Sequence, residues 1–266
     1  MKICIAGDGV VGGTLKHWLG RNTDHRVTVY DPPKGHVRKT LSDVLFVSVP
    51  VPTESSELDL SILHSTLDDL QGYALAVFIR STVLPGTCDA LTKKYGRPIY
   101  AMPEFLRQRT HVQDFELQDV IVGAPEGYDP SEPHEILNLV FYGKKTIRQS
   151  SAKNCEMTKY AHNIFLALKV TYFNVIYDIC RQHSISFEAV RSMITISGSI
   201  SQSHTCVPGP DGQFGFGGSC FPKDLQAFLG FLDDDPVPAT ARGLLQEIVR
   251  LNSIYRPINS ESNVAG

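Results

Sequence analysis

Apolar residues fall into two regimes along this chain. Up to about residue 149 they come as short unbroken runs, and beyond it they recur at three- and four-residue steps. Lys2–Ala6, Arg26–Tyr30, Val44–Val49, Ala74–Ile79, Ile99–Glu104 and Val120–Gly123 read as strands, several apolar enough for burial on both faces of a parallel sheet. Residues 13–19, 59–70, a stretch ending near Tyr95 and 131–141 lie between them with helical spacing. Such alternation predicts helices on both faces of a parallel sheet. From Met157 through Tyr160, Ile164, Leu168, Tyr172 and Ile176 to Cys180, the apolar positions follow one side of a helix of about eight turns. A further helix is expected over 187–195, started by Ser186 with Glu188 in its first turn, and a last one over 239–253. Residues 259–266 read as a disordered tail.

Composition narrows the class. The chain has 266 residues, 42% of them hydrophobic and 20% charged, as expected of a globular protein with a proper core. A net charge of −3 offers neither the basic excess of a nucleic-acid binder nor a polybasic membrane patch. No continuous apolar run has the length of a membrane span, and the N-terminus enters a strand without signal-peptide anatomy. Six dispersed cysteines, with no CxxC pair or matching histidines, predict no metal site and a reducing, cytoplasmic setting.

Two glycine-rich stretches carry the candidate chemistry. Gly7-Asp8-Gly9-Val10-Val11-Gly12 lies between a strand and a helix, the setting of a dinucleotide fingerprint. The first glycine permits the turn, the second lets a pyrophosphate approach, and the third lets helix pack on strand. Asp31 ends the next strand about twenty residues on, where an acid binds a ribose 2′-hydroxyl and repels a 2′-phosphate, which favours NAD. The second stretch runs from Phe214 to Asp224 and surrounds Cys220 with Gly215, Gly217, Gly218 and Lys223. It reads either as a ligand loop with a thiolate nucleophile and Asp224 as proton acceptor, or as a turn burying a small apolar residue. Lys159 and Asn163 stand four residues apart and share a face of the long helix, either as a functional pair or as part of a solvated surface.

Together these motifs resemble the UDP-glucose/GDP-mannose dehydrogenase family. The resemblance rests on the fingerprint, Val49-Pro50-Val51-Pro52-Thr53, Ser81-Thr82-Val83-Leu84-Pro85-Gly86-Thr87, Pro103-Glu104-Phe105-Leu106-Arg107, Lys159-Tyr160-Ala161-His162-Asn163, and Gly215 to Asp224. It implies oxidation of a nucleotide-sugar primary alcohol to a carboxylate with NAD. Cys220 is then the thiohemiacetal and thioester nucleophile. Lys159 and Asn163 are oxyanion donors, Asp224 is the base, Glu104 assists hydrolysis, and Thr82 places a water. Gly7, Gly9, Val10, Val11, Gly12, Asp31, Val49, Pro50, Thr53, Ser81 and Thr82 are the expected cofactor contacts. Glu104, Phe105, Leu106, Lys159, Asn163, Phe216, Gly217 and Gly218 are the expected substrate contacts.

The expected fold class is therefore an α/β Rossmann-type doubly wound parallel sheet followed by an all-helical central, dimerising domain. The expected units are an NAD-binding domain over 1–149, a helical domain with the cysteine loop over 150–258, and the tail. Partners expected are a sugar or nucleotide sugar, a second copy through the long helix near 151–182, and a protein completing the substrate site, with neither nucleic acid nor membrane. The family pattern is broken at four places. The family's usual third domain is expected to be missing, the 31–42 segment is short, Gln108 stands where a second glutamate is usual, and Ser199 where an arginine is usual. Two other readings stay open, a two-electron dehydrogenase that needs no cysteine and a catalytically silent NAD-binding remnant.

Overall fold

A computed structural model describes residues 1–233 and 239–256. The expected tail lies outside the described residues. The chain divides into two compact units, Met1–Glu54 with Leu58–Lys159, and Ser55–Glu57 with the residues from Tyr160 onward.

In the first unit, β1 (Lys2–Ala6), α1 (Val10–Asn22) and β2 (Arg26–Tyr30) form the opening βαβ, and β3 (Ser42–Val47) follows. After a short hairpin, β4 (Thr53–Glu54) and β5 (Glu57–Leu58), come α2 (Ser61–Asp69), β6 (Ala74–Ile79), α3 (Thr87–Tyr95) and β7 (Ile99–Ala101). The unit continues with α4 (His111–Leu117), β8 (Val120–Ala124), α5 (Ser131–Phe141) and β9 (Ile147–Ser151), and α6 (Ala152–Gln182) begins in it. The sheet order is β2-β1-β3-β6-β7-β8-β9.

Strand periodicity separates the core into two faces. Cys4, Ala6, Leu45, Val47, Val77 and Ile79 point to one face, where Leu63 and Leu67 of α2 and Cys88 and Leu91 of α3 cover them. Ile3, Ile5, Val44, Phe46 and Phe78 point to the other, against Leu15, Trp18 and Leu19 of α1, Phe115 of α4 and Phe141 of α5. That two-sided burial is why these strands read as unbroken apolar runs.

Three features depart from the sequence expectation. The sheet is mixed, because β8 runs antiparallel to β7 while β9 runs parallel to β8. The link from β7 to β8 carries only the short α4 and returns without the crossover a parallel neighbour needs. β9 is a largely exposed edge strand whose polar residues hide it from apolar patterning. Finally, α6 is by length and composition apolar enough to cross a membrane, although no continuous apolar run suggests it. Its Glu156, Lys159, Asn163 and Asn174 are buried, as in the core helix of a globular protein.

In the second unit, α6 continues and is followed by α7 (Phe187–Ile194), α8 (Phe221–Phe231) and α9 (Ala239–Tyr255). Ser186 caps α7 as expected, its side chain accepting the Ala189 N–H at 3.3 Å. Phe173 and Cys180 of α6 pack with Phe187 of α7 and Val207. Helix α8 was not legible as an element, since it starts inside the cysteine motif.

The fingerprint turn is the tightest point of the first unit. Gly7 has φ +91°, and a Cβ on Gly12 would lie 1.9 Å from the Gly7 carbonyl oxygen. Gly12→Ala is expected to cost about 2 kcal/mol by overpacking. A urea denaturation midpoint lower than wild type checks this, and an unchanged midpoint would contradict the turn geometry.

Candidate active site

In the first unit the fingerprint turn presents an open face. Among the described residues a Cβ on Gly9 would meet nothing within 4 Å, and α1 begins with no side-chain cap and no acid in its first turn. Its first N–H groups and its positive dipole end are therefore available to a phosphate. The Asp31 carboxylate closes on the turn, accepting the Asp8 N–H at 2.7 Å, and Lys16 neutralises Asp8 at 2.7 Å. Ser48, next to Gly7 and just after β3, has a buried hydroxyl without a hydrogen-bond partner among the described residues, and nothing in the sequence marks it. The chemistry of these residues fits a dinucleotide. Ser81 Oγ donates to the Val49 carbonyl at 2.7 Å, joining two of the expected cofactor segments, Val49–Thr53 and Ser81–Thr82.

Glu104, Phe105, Leu106 and Lys159 converge. Lys159 Nζ lies 2.6 Å from the Glu104 carbonyl, 3.1 Å from Glu104 Oε1 and 5.5 Å from the Phe105 ring centroid. Glu104 Oε2 accepts the Leu106 N–H at 2.6 Å. The Lys159 ammonium is thus buried in an ion pair with Glu104. Just after β6, Arg80 is fully buried with Nε and Nη1 unpartnered among the described residues, its guanidinium 5.3 Å over Phe115. Burial lowers its pKa to about 10, and the charge of Glu104 offsets part of that. It is a buried cation beside the Glu104 segment that the sequence did not mark.

Two buried carboxylates hold the loops of this unit. Glu156 of α6 accepts the Gly86 and Cys88 N–H groups at 2.6 and 2.8 Å, capping α3 from outside and fixing the Thr82 loop. Burial pushes its carboxyl above the usual range, and those N–H groups oppose the shift. Asp114 accepts Arg107 N–H at 2.8 Å, Arg107 Nη2 at 2.5 Å and Thr110 Oγ1 at 2.9 Å. Gln108 lies exposed between the residues so pinned.

In the second unit, Cys220 occupies the N-cap of α8 and is exposed, with Ser219 Oγ 3.8 Å from its sulfur. The start of α8 aims its positive end at that position. Asp224 follows on the same helix, 1% exposed, and accepts Asn163 Nδ2 at 2.6 Å and Lys223 Nζ at 2.5 Å. Phe216 is buried, and Gly218 adopts φ +76°. Ser199 is exposed, its N–H donating to Ser197 Oγ at 3.3 Å. The expected residues therefore assemble as two clusters joined by one helix, which carries Lys159 at the end of the first unit and Asn163 in the second.

The description of the UDP-glucose/GDP-mannose dehydrogenase family's NAD binding domain matches residues 35–138, and that of its central domain matches 153–253. The chain belongs to the UDP-glucose/GDP-mannose dehydrogenase family. The NAD binding domain match lies almost entirely within the first unit, and the fingerprint and Asp31 precede the matched span. Among curated relatives, the UDP-glucose 6-dehydrogenase of Rickettsia felis is 29% identical over 238 residues, covering 84% of this chain and 50% of that protein. That of Rhizobium meliloti is 31% identical over 213 residues, covering 74% of this chain and 47% of that protein. The chain thus spans about half the length of the curated relatives it matches. A UDP-glucose dehydrogenase structure from Pyrobaculum islandicum aligns with TM-score 0.77 at 22% identity, over 95% of this chain and 68% of that one. It supports the shared fold.

The Asp114 cluster yields a pH-dependent prediction. Burial alone would raise the Asp114 carboxyl, but Arg107 and Thr110 outweigh it and hold the carboxyl below its ordinary value of 3.8. Its stabilisation is complete above about pH 4 and is lost as pH falls through the lowered value. With Arg107 half exposed, the cluster is worth about 2 kcal/mol at neutral pH. Melting curves should show Asp114→Asn less stable than wild type at pH 7, with the gap narrowing as pH falls below about 4. A gap that does not change with pH would contradict the assignment.

Proposed function

We propose that the chain takes part in the NAD-dependent oxidation of a nucleotide-sugar primary alcohol to a carboxylate, as in UDP-glucose 6-dehydrogenases. The observation that carries this reading is Cys220 at the N-cap of α8, one helical turn before the buried Asp224–Asn163 pair. NAD held at the fingerprint supplies a hydride acceptor. Cys220 Sγ bonds to the carbon of the aldehyde formed from the alcohol, holding it first as a thiohemiacetal and then, one oxidation level higher, as a thioester. Water breaks the C–S bond, releasing the carboxylate and returning the sulfur as a thiol.

Asp224 takes the proton from the attacking water, and Asn163, oriented by Asp224, donates to the developing oxyanion. By the family resemblance, Lys159, which pairs with Glu104, is the second oxyanion donor, and Glu104 assists hydrolysis. Thr82, by the same resemblance, is the residue that places the hydrolytic water. The six free cysteines fit a reducing compartment. Phe165, Tyr172 and Ile179 form an exposed apolar stripe on α6 that suits pairing with a second copy of the chain.

The test is NADH formed per UDP-glucose consumed, for wild type and Cys220→Ala. Two equivalents in wild type, falling to at most one in the variant, are expected. One equivalent in both would assign the chain to the two-electron dehydrogenases, and no turnover despite NAD binding would favour a silent remnant.

A further inference from the structure

The glycines before Cys220 answer to side chains of α9. Gly215 has φ +66°, and a Cβ on it would stand 2.5 Å from Asn252 Oδ1. On Gly217 a Cβ would stand 2.3 Å from Arg256 Nη1. Gly215 and Gly217 are therefore glycine because Asn252 of α9 and Arg256, just past its end, lie directly against their backbone.

Asn252 treats Phe216 as a strand treats its neighbour. Its Oδ1 accepts the Phe216 N–H at 2.7 Å, and its Nδ2 donates to the Phe216 carbonyl at 3.0 Å. Asn174 of α6, buried, accepts the Gly215 N–H at 3.0 Å and spends its own Nδ2 on the Val170 carbonyl at 2.8 Å. Arg256 pairs with Asp211, whose Oδ1 accepts the Gln213 N–H at 3.1 Å. Successive backbone groups of the loop are thus held by carboxamides from two helices. Each carboxamide both donates and accepts, which neither a carboxylate nor an aliphatic side chain of the same shape can do.

We propose that Asn252 is a positioning residue for Cys220, so that α9 sets where the start of α8 presents the sulfur. Only Gly217, Gly218 and Ser219 separate the clamped Phe216 from Cys220, and a displacement at one end passes to the other. The role in turnover rests on the function proposed above, whereas the clamp itself does not.

The test compares wild type with Asn252→Ala, Asn252→Asp and, on the exposed side of α9, Ser253→Ala. Amide hydrogen exchange at Phe216 should accelerate about fivefold or more in Asn252→Ala, as loss of one hydrogen bond requires, with peptides of the first-unit sheet unchanged. With UDP-glucose and NAD, kcat should fall on the order of tenfold to a hundredfold while KM for NAD stays constant. Asn252→Asp keeps the acceptor and loses the donor, so it should fall between, and it carries the test if Asn252→Ala fails to fold. Ser253→Ala should match wild type. Equal exchange at Phe216 in all four proteins overturns the clamp, and a kcat within twofold of wild type overturns the positioning role. Wild type without turnover, but with exchange that responds to Asn252, overturns the proposed function and leaves the clamp standing.

Discussion

The chemistry of the second unit depends on one buried carboxylate. Asp224 has 1% of its surface exposed, and its two oxygens are filled by Asn163 and Lys223. A carboxylate so buried is costly unless it is hydrogen-bonded, so the two partners are held as firmly as the acid itself. Asn163 comes from α6 and Lys223 from the first turn of α8, the turn that begins at Cys220. Satisfying Asp224 therefore fixes the amide and the start of the cysteine's helix in one step.

Carboxylates do the same work in the first unit, two of them, Glu156 and Asp114, buried. Glu156 caps α3 and so fixes the loop with Thr82, Glu104 holds Lys159, and Asp114 pins the segment after Glu104. Helix α6 is central to both units. Glu156, Lys159, Asn163 and Asn174 recur along it at spacings that keep them on one side, interrupting an otherwise apolar helix. Each is buried and each serves a loop or a helix start. Polar groups in that position are a positional constraint as much as a source of stability.

Much of this was legible from residue order. Strands with both faces buried must be apolar throughout, so Val44–Val47 and Ala74–Ile79 declare themselves. Of the fingerprint glycines, Gly12 follows from contact within the turn, against the Gly7 carbonyl oxygen. The antiparallel β8 was not legible, because neighbours in a sheet are set by the path of the chain between strands. β9 hides behind the polar residues of an edge strand, and α4 is too short to show a period. In α8 the signal was present in Pro222 at its start and in the spacing of Phe221, Leu225 and Phe228, but the glycine motif invited reading as a loop. Asn252, Arg80 and Glu156 escaped because their partners are distant in sequence, and nothing local distinguishes a clamping asparagine from a solvated one.

The central claim is that Cys220 bonds to the substrate. Its most direct measurement is the mass of the Cys220 peptide after acid quench during turnover of UDP-glucose with NAD. The account predicts a sugar-nucleotide acyl adduct on Cys220 that appears during turnover and disappears when substrate is exhausted. A Cys220 peptide that stays unmodified at every quench time, while two equivalents of NADH accumulate per sugar, would contradict it.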